Sequence, residues 1–314
     1  MANISAKMVG DLKKKTGAGL MDCKRALVET NGDVETNGDV DAAIKLLREK
    51  GLAAAAKKAD RIAADGLVSV LKDGNTVAMV EVNSETDFVA KNATFVEFVQ
   101  GILRTIIANK PANIAELNAC KFDGTDFTVE ATVKDKIYTI GENITLRRFV
   151  VVEGITSTYI HGNGSIGVIV KFDVDAATAE KAEFVEFAKN IALQAGAYAT
   201  PYLDRDHVPA SAIAEEKEVI MGQIKNDPKN ANKPDAIIEK MAIGKLGKFY
   251  EENCLVDKEY IKDDNMKVSQ YIAATAKALG ADIKVASFER FEKGEGIEKR
   301  EDNLGDEVAK MLGK

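Results

Sequence analysis

The string FVEF occurs twice in the chain, at residues 95–98 and 184–187, an offset of 89 residues. Before the first copy, residues 67–83 have period-two alternation of apolar and polar side chains around a Gly-Asn turn, and residues 158–172 have the same before the second. A helical pattern follows in both places, and a period of two indicates strands. Because the two segments align without a gap, we predict an internal duplication. Each repeat would be a strand hairpin followed by a helix, which makes an α+β fold.

The first 60 residues have the pattern of three short amphipathic helices. The first follows Ser5, the second begins near Leu20 and Met21, and the third is predicted to end at Gly51, a favourable residue for a helix C-terminus. Apolar residues recur at helical spacing in all three, namely Val9, Leu12, Cys23, Ala26, Leu27, Ile44 and Leu47. We predict a small three-helix bundle.

The second and third helices are separated by VETNGDVETNGDV, residues 28–40, a tandem six-residue duplication. We expect a solvated loop, because both copies contain Asn-Gly. Its acidic residues begin the pattern of a calcium-binding loop at Asp33, but the twelfth position is Ile44 rather than the glutamate that such a loop requires. The sequence therefore predicts no metal site here.

Residues 212–252 interrupt the duplicated pattern with two amphipathic helices, joined across NDPKNANKP, whose prolines and asparagines break a helix. Their apolar residues are expected to face one another: Ile213, Val219, Ile220, Ile224, Ile237, Ile238, Met241 and Phe249. We predict an antiparallel helical hairpin, too thin to bury both of its faces, that packs elsewhere or against another chain. A helix and a strand at 269–292 return to the core, and 301–314 have the pattern of a short terminal helix.

The overall charge narrows the classes of partner. A formal charge of -7 with a pI near 5.2 argues against a general binder of nucleic acid or of anionic membranes. No apolar run approaches the roughly 20 residues of a membrane span, and the N-terminus lacks the apolar segment of a signal peptide. The cysteines Cys23, Cys120 and Cys254 lie far apart, and unpaired thiols predict a reducing cytoplasm.

The sequence contains no recognisable catalytic arrangement. A phosphate-binding GxxxxGK[ST] loop is absent, and the glycines of TGAGLMD follow a helix rather than the strand that a dinucleotide fingerprint needs. His161 and His207 are the two histidines, and neither lies near a candidate serine or cysteine in the sequence. We predict no catalytic residue, no metal site and no cofactor, and a structural or surface role for His161.

The stretch ETDFVAKN, residues 85–92, stands where a strand ends and a helix begins. Two explanations fit it equally well. Either the acid and the ring have a function, or Phe88 fills a gap in the core while Asp87 caps the helix. At the 89-residue offset, Asp87 and Phe88 correspond to Ala176 and Ala177, so the second repeat lacks both side chains.

The triplet TDF recurs at residues 125–127, between Gly124 and the stretch FTVEATV. We expect a polar turn that leads into a strand, without a function of its own.

Seven motifs, in order along nearly the whole chain, resemble the bacterial elongation factor Ts family. They are LKKKTGAGLMDCKRAL (12–27), NGD with DAAIKLLREKG (37–51), AADG (63–66), EVNSETDFVAKN (81–92), IGENITLRR (140–148), HGNGSIGVIV (161–170) and FERFEKGEGIEK (288–299). The resemblance is looser over 109–136 and 173–265. The family pattern has one NGD turn and this chain has two, which leaves the geometry of that loop open.

The resemblance implies a particular order of domains. A ubiquitin-associated-like helical domain would span 1–60, a core N-subdomain 61–154, a core C-subdomain 155–290 and a C-terminal helical module 291–314. The helical hairpin, at about 208–256, would be inserted in the C-subdomain. Many members dimerise through it, and two alternatives stay open for this chain: a homodimer through the hairpin, or a hairpin that folds back on its own core.

The resemblance also implies a function, nucleotide exchange on the translational GTPase elongation factor Tu. The element that displaces Mg²⁺ from the GTPase would be Thr86, Asp87, Phe88 and Val89. The first domain, through Leu20 and Met21, and the C-terminal helix would grip the GTPase, and His161 matches a family histidine on the partner-facing side. No direct nucleic-acid or membrane partner is implied.

Two other classes of function remain open. An adaptor would bind some other protein through its N-terminal bundle and use the core as a scaffold. An enzyme would need Asp87, Lys91 and His161 to converge in one pocket.

Overall fold

The computed structural model describes residues 4–16, 18–30, 38–230 and 233–298. The chain divides into two compact units. The first unit contains the chain up to Leu71, Ala78–Val151 and the segment that begins at Glu292. The second unit contains Lys72–Val77 and Val152–Phe291.

The first unit begins with the three predicted helices, α1 (Ala6–Thr16), α2 (Leu20–Glu29) and α3 (Gly38–Lys58). Their shared interior is apolar and includes Val9, Leu12, Ala18, Cys23, Ala26, Leu27, Ala43 and Leu47. The predicted loop lies largely at 31–37, outside the described residues, as do the first positions of the calcium-like pattern.

The predicted end of the third helix at Gly51 is wrong, because α3 continues through the alanine run to Lys58. Gly51 is buried, and a Cβ built on it would lie 3.7 Å from Cβ of Tyr138. Gly51 therefore lies inside α3, where the helix passes close to Tyr138, and it does not end the helix.

The first repeat contains β1 (Asp65–Asp73), β2 (Thr76–Ser84), a four-residue helix α4 (Asp87–Ala90) and α5 (Ala93–Asn109). A third strand, β3 (Ile144–Glu153), completes a sheet in the order β1-β2-β3. β2 lies in the middle and is buried along nearly its whole length. The core between sheet and helices includes Val80, Val82, Phe95, Val99 and Ile102.

Two helices, α6 (Ile114–Ala119) and α7 (Val129–Ile140), connect α5 to β3. The predicted strand FTVEATV is wrong, because Thr128 caps α7 through a hydrogen bond from the backbone N–H of Ala131, and the helix runs on from Val129. The β-branched residues in this stretch favoured a strand, but the cap and the packing of α7 against α3 decide for a helix.

The second repeat contains β4 (Ile155–His161), β5 (Ile166–Asp173), a four-residue helix α8 (Ala176–Ala179) and α9 (Ala182–Ala197). β4 and β5 pair antiparallel, with Tyr159 opposite Val168. α8 and α9 begin 89 residues after α4 and α5, the offset that the sequence predicts. The fold class is α+β, as predicted.

The predicted helical hairpin is formed by α10 (Ala210–Asn226) and α11 (Asp235–Asn253). Its interior contains Ile220, Ile224, Ile238, Ala242 and Leu246, with Ile213, Met221, Met241 and Tyr250 packed against it. Val219 and Ile237 were expected in the interior, but 54% and 47% of these residues are exposed. The interior positions follow a spacing of four residues, which turns Val219 and Ile237 away from the seam.

The second unit ends with a two-stranded sheet of β6 (Glu259–Tyr260) and β7 (Asp263–Lys267), the helix α12 (Val268–Leu279) and the strand β8 (Lys284–Glu292). β8 lies beside β5, giving the sheet order β4-β5-β8. The predicted C-terminal helix at 301–314 lies outside the described residues. Within the described chain, no helix is long and apolar enough to cross a membrane.

Candidate functional site

Phe88 is the most exposed large apolar side chain among the described residues, with 81% of its surface accessible. It lies on α4, at the join between β2 and α5. A ring in this position does not fill a gap in the core, so that explanation of the motif is wrong. An isolated exposed aromatic of this size is typical of an anchor that a partner protein buries.

Thr86, not Asp87, caps α4. The Thr86 hydroxyl accepts a hydrogen bond of 3.5 Å from the backbone N–H of Val89. Asp87 is the first helical residue, and its Oδ2 lies 2.5 Å from Nζ of Lys91, one turn later. This hydrogen bond from Lys91 lowers the pKa of Asp87 below its usual value. Asp87 is therefore a paired, ionised surface group rather than a proton donor.

The other face of α4 fixes the direction of the ring. Val89 packs against the core of the first unit, and Ala90 is buried. With these two side chains inward, Phe88 is directed to solvent. The four residues from Thr86 to Val89 therefore form one short element. Thr86 caps the helix, Asp87 pairs with Lys91, Phe88 is exposed, and Val89 packs against the core.

A carboxylate from another part of the chain holds the start of this element. Oε2 of Glu142 accepts hydrogen bonds from the backbone N–H groups of Glu85 (3.1 Å) and Thr86 (3.0 Å). Its Oε1 accepts from the Thr86 hydroxyl at 2.6 Å. In return, Oε1 of Glu85 accepts from the backbone N–H of Asn143 at 2.6 Å. The sequence showed Glu142 only as part of the motif IGENITLRR, and its 56-residue separation from Thr86 hid the contact.

Leu20 and Met21 begin α2 and are 52% and 65% exposed, while Cys23, three and two residues later, is buried. The helix thus places its interior residues toward the bundle and these two outward. Like Phe88, they are apolar side chains that the first unit leaves uncovered.

His161 ends β4 in the second unit and is exposed. The hydroxyl of Tyr159 lies 2.9 Å from its Nδ1, which fixes one edge of the imidazole and leaves Nε2 for another partner. The turn after it contains Gly162 and Asn163 at positive φ, 54° and 53°.

The second TDF triplet lies at the surface, and its side chains contact neighbouring residues of the chain. The guanidinium of Arg48 lies 4.5 Å from the centre of the Phe127 ring, a cation–π contact. The Thr125 hydroxyl accepts from the backbone N–H of Phe127, and Asp126 pairs with Lys121. These contacts belong to a turn, as predicted for the part before Thr128.

Asp87 and Lys91 belong to the first unit, and His161 belongs to the second. The first two pair with each other on the exposed face of α4, and His161 is bonded to Tyr159. A cavity of about 460 Å³ in the first unit is lined by other residues, from α3, α6, α7, β3 and the turn before it. Across the described ranges there is no group of three or more His, Cys, Asp or Glu side chains that could hold a metal ion.

Residues 85–295 match the family described as Elongation factor TS. The chain is 43% identical to "Elongation factor Ts" of Syntrophotalea carbinolica, over 98% of this chain and 99% of the relative. It is 46% identical to the protein of the same name from Clostridioides difficile, over 99% of this chain and 100% of the relative. A third relative of that name, from Clostridium kluyveri, is 43% identical over 98% of this chain. The family match and the identity to these relatives both show that this chain belongs to the elongation factor Ts family.

Proposed function

We propose that this protein is the guanine-nucleotide exchange factor for elongation factor Tu in translation elongation. Family membership along the whole chain supports the partner. The observation that supports the site is the exposure of Phe88, which is 81% accessible on a short helix. The equivalent helix of the second repeat has alanine in place of both Asp87 and Phe88. The ring is therefore an addition to a scaffold that folds without it.

In the proposed mechanism, Phe88 inserts between structural elements of the GTPase and displaces the groups that hold Mg²⁺. GDP is bound through its phosphates together with that ion, and the metal neutralises much of the phosphate charge. Loss of Mg²⁺ leaves the phosphates less well compensated, so GDP dissociates and GTP can bind. Asp87, ionised beside Lys91, lies next to the ring and would take part in the same displacement.

The coupling between the two ligands is reciprocal. If this protein weakens nucleotide binding by some factor, nucleotide weakens binding of this protein by the same factor. Exchange is then accelerated without a bias between GDP and GTP. No bond is made or broken, so the proposed activity needs no nucleophile, general base or cofactor of this chain.

The remaining contacts with elongation factor Tu are proposed from the family likeness. Leu20 and Met21, exposed at the start of α2, would grip the GTPase domain, together with the C-terminal module predicted at 291–314. His161 would add a contact through the edge of the imidazole that Tyr159 leaves unoccupied. We expect no direct contact with nucleic acid or membrane, and the cytoplasmic location remains a prediction.

We further propose that the helical hairpin is a homodimer contact. Besides Val219 and Ile237, it exposes Ile243, 55% of which is accessible, although its interior is already formed by five other apolar residues. The proposed domain limits, 1–60, 61–154, 155–290 and 291–314, can be tested independently by limited proteolysis, which should cut preferentially near them.

The function is tested by the release of labelled GDP from elongation factor Tu. Wild type should accelerate release, and Phe88→Ala should lower the accelerated rate about 30-fold, as expected from a truncation cost of about 2 kcal/mol at an aromatic anchor. Phe127→Ala is the matched control, since it removes the ring of the other TDF triplet and should leave the rate unchanged. Equal rates for wild type and Phe88→Ala would eliminate the wedge, and no stimulation by wild type would eliminate the function.

A further inference from the structure

Glu142 makes three hydrogen bonds to the two residues that precede α4. It accepts from two consecutive backbone N–H groups, of Glu85 and Thr86, and from the Thr86 hydroxyl, at distances of 2.6 to 3.1 Å. Hydrogen bonds to an ionised acceptor are stronger than those between neutral groups. One half-buried carboxylate thus fixes both the backbone before the short helix and the residue that caps it.

The position of Glu142 is itself held from both sides. It follows Gly141, whose φ of 92° ends α7 in the left-handed conformation that glycine favours. The next residue, Asn143, donates its backbone N–H to Glu85 and its side-chain amide to the carbonyl of Arg61 at 2.8 Å. Because Glu85 and Glu142 each accept from the other's segment, the two stretches of chain are locked in one register.

The second repeat shows what the short helix needs when it carries no ring. Asp175 corresponds to Thr86 and caps α8 with its own carboxylate, accepting from the backbone N–H of Thr178 at 2.9 Å. In the hydrogen bonds found for the described residues, no carboxylate from a distant segment binds the chain before α8. The three hydrogen bonds to Glu142, called the Glu142 clamp below, therefore occur in the repeat that carries Phe88 and are not needed to form the short helix.

We propose that Glu142 is a positioning residue for Phe88. It acts through Thr86 and the backbone of residue 85, and it holds α4 in the orientation in which Phe88 points outward before the partner arrives. The inference rests on the proposed exchange function. A contact segment that is ordered in advance loses less conformational entropy on binding, so its removal weakens the productive complex although Phe88 itself is intact.

The test is GDP release from elongation factor Tu with full-length Glu142→Ala, Glu142→Gln, Phe88→Ala and the double variant Phe88→Ala/Glu142→Ala. Glu142→Ala should lower the stimulated rate about 10-fold. Glu142→Gln keeps one acceptor oxygen and should fall between wild type and Glu142→Ala. Since Glu142 is proposed to affect GDP release only by positioning the Phe88 ring, its loss should have no effect once the ring is absent. The double variant should therefore be no slower than Phe88→Ala alone.

Asp175→Ala is the matched control, because it removes the cap of the equivalent helix in the repeat that has no ring. It should leave GDP release at the wild-type rate. Hydrogen exchange supplies a second readout, in which the amides of residues 85–90 should exchange faster in Glu142→Ala while those of β2 stay protected.

The outcomes separate this inference from the proposed function. If wild type stimulates release and Phe88→Ala lowers the stimulated rate while Glu142→Ala and Glu142→Gln match wild type, the positioning role is refuted and the function stands. A double variant slower than Phe88→Ala by the full factor of Glu142→Ala also refutes it, since Glu142 would then act elsewhere. Should Glu142→Ala not fold, Glu142→Gln decides, and a rate equal to wild type overturns the proposal.

Discussion

Glu81, in the middle strand of the first sheet, offers a quantitative test of how the first unit is held together. Its side chain is completely buried, yet it carries a charge. Oε1 accepts from Nη1 of Arg147 (2.9 Å) and from the backbone N–H of Gly294 (2.8 Å), and Oε2 accepts from Nε of Arg148 (2.6 Å). The carboxylate thus ties β2 to β3 and to the segment after Glu292.

Glu81→Gln keeps the size of the side chain but removes its charge and turns a donating amide toward one of the arginines. Removal of one partner from a buried ion pair commonly costs 3–5 kcal/mol. Arg147 and Arg148 retain 25% and 31% of their side-chain surface in contact with water, so water compensates them in part after the loss. We therefore expect the lower end, a decrease of about 3 kcal/mol in the free energy of unfolding of the first unit.

The pH dependence of this difference is fixed by the pKa of Glu81. Burial by itself raises that pKa, but the hydrogen bonds from Gly294, Arg147 and Arg148 outweigh burial and hold it below the usual 4.5. A carboxyl with a lowered pKa in the folded state stabilises the fold fully above its unfolded pKa, and the contribution is lost as the pH falls through the folded pKa. The difference between wild type and Glu81→Gln should be complete at pH 7 and shrink below about pH 4.5.

Native-state hydrogen exchange measures the effect in each unit separately. Amides of β2 should lose about 3 kcal/mol of protection at pH 7, whereas those of α9, in the second unit, should be unchanged. Glu289→Gln is the matched control, because burial raises the pKa of Glu289 and loss of its charge should stabilise the second unit or leave it unaltered. Loss of less than 1 kcal/mol at β2, or an equal loss in both units, would refute the role given to Glu81.

Further predictions concern glycines and the hairpin. Gly222→Ala, exposed within α10 with nothing within 4 Å of the new Cβ, should raise stability by about 0.5–1 kcal/mol in thermal unfolding, because alanine favours a helix. Gly101→Ala in α5 should lower it by about 1–2 kcal/mol in the same assay, since the Cβ would lie 2.3 Å from Cζ of Phe122. Val219→Glu combined with Ile243→Glu should convert the proposed dimer to a monomer in sedimentation equilibrium without loss of helix content; an unchanged mass would contradict the hairpin contact.

Periodicity predicted most of the secondary structure because burial on one face leaves a direct trace in the sequence. The alternation at 67–83 became β1 and β2, and the copies of FVEF lie in α5 and α9 at the predicted offset. The hairpin helices were found in the same way, and Ile220, Ile224 and Ile238 lie in its interior. Where two adjacent residues are both apolar, as at Val219 and Ile220, the pattern did not show which of them faces the interior.

The errors occurred where a tertiary contact overrides a local preference. Gly51 has the character of a helix end, but α3 continues through it and packs there against Tyr138 of α7. FTVEATV has the composition of a strand, but Thr128 supplies a cap and α7 packs on α3. Local sequence could not show the packing of α7 on α3, because Gly51 and Tyr138 lie 87 residues apart along the chain.

The candidate site was predictable only in part, for the same reason. The comparison of Phe88 with Ala177 indicated that the ring is not needed by the scaffold, and the exposure of Phe88 agrees with that inference. The assignment of the cap to Asp87 was wrong, since Thr86 is one residue earlier and has the suitable hydroxyl. The clamp by Glu142 required the fold, because only the end of α7 brings it to Thr86.

The two repeats also suggest why the clamp exists in only one of them. Each repeat consists of two strands, a four-residue helix and a long helix, and in each sheet the third strand lies beside the second strand of the hairpin. What differs is the chain between the long helix and the third strand: α6 and α7 in the first repeat, and the hairpin, β6, β7 and α12 in the second. Glu142 belongs to this divergent connection and lies two residues before the start of β3. The elements common to both repeats thus place a short helix after the second strand. The connection that differs between the repeats supplies the carboxylate of Glu142, which would hold that helix, and Phe88 with it, in one orientation.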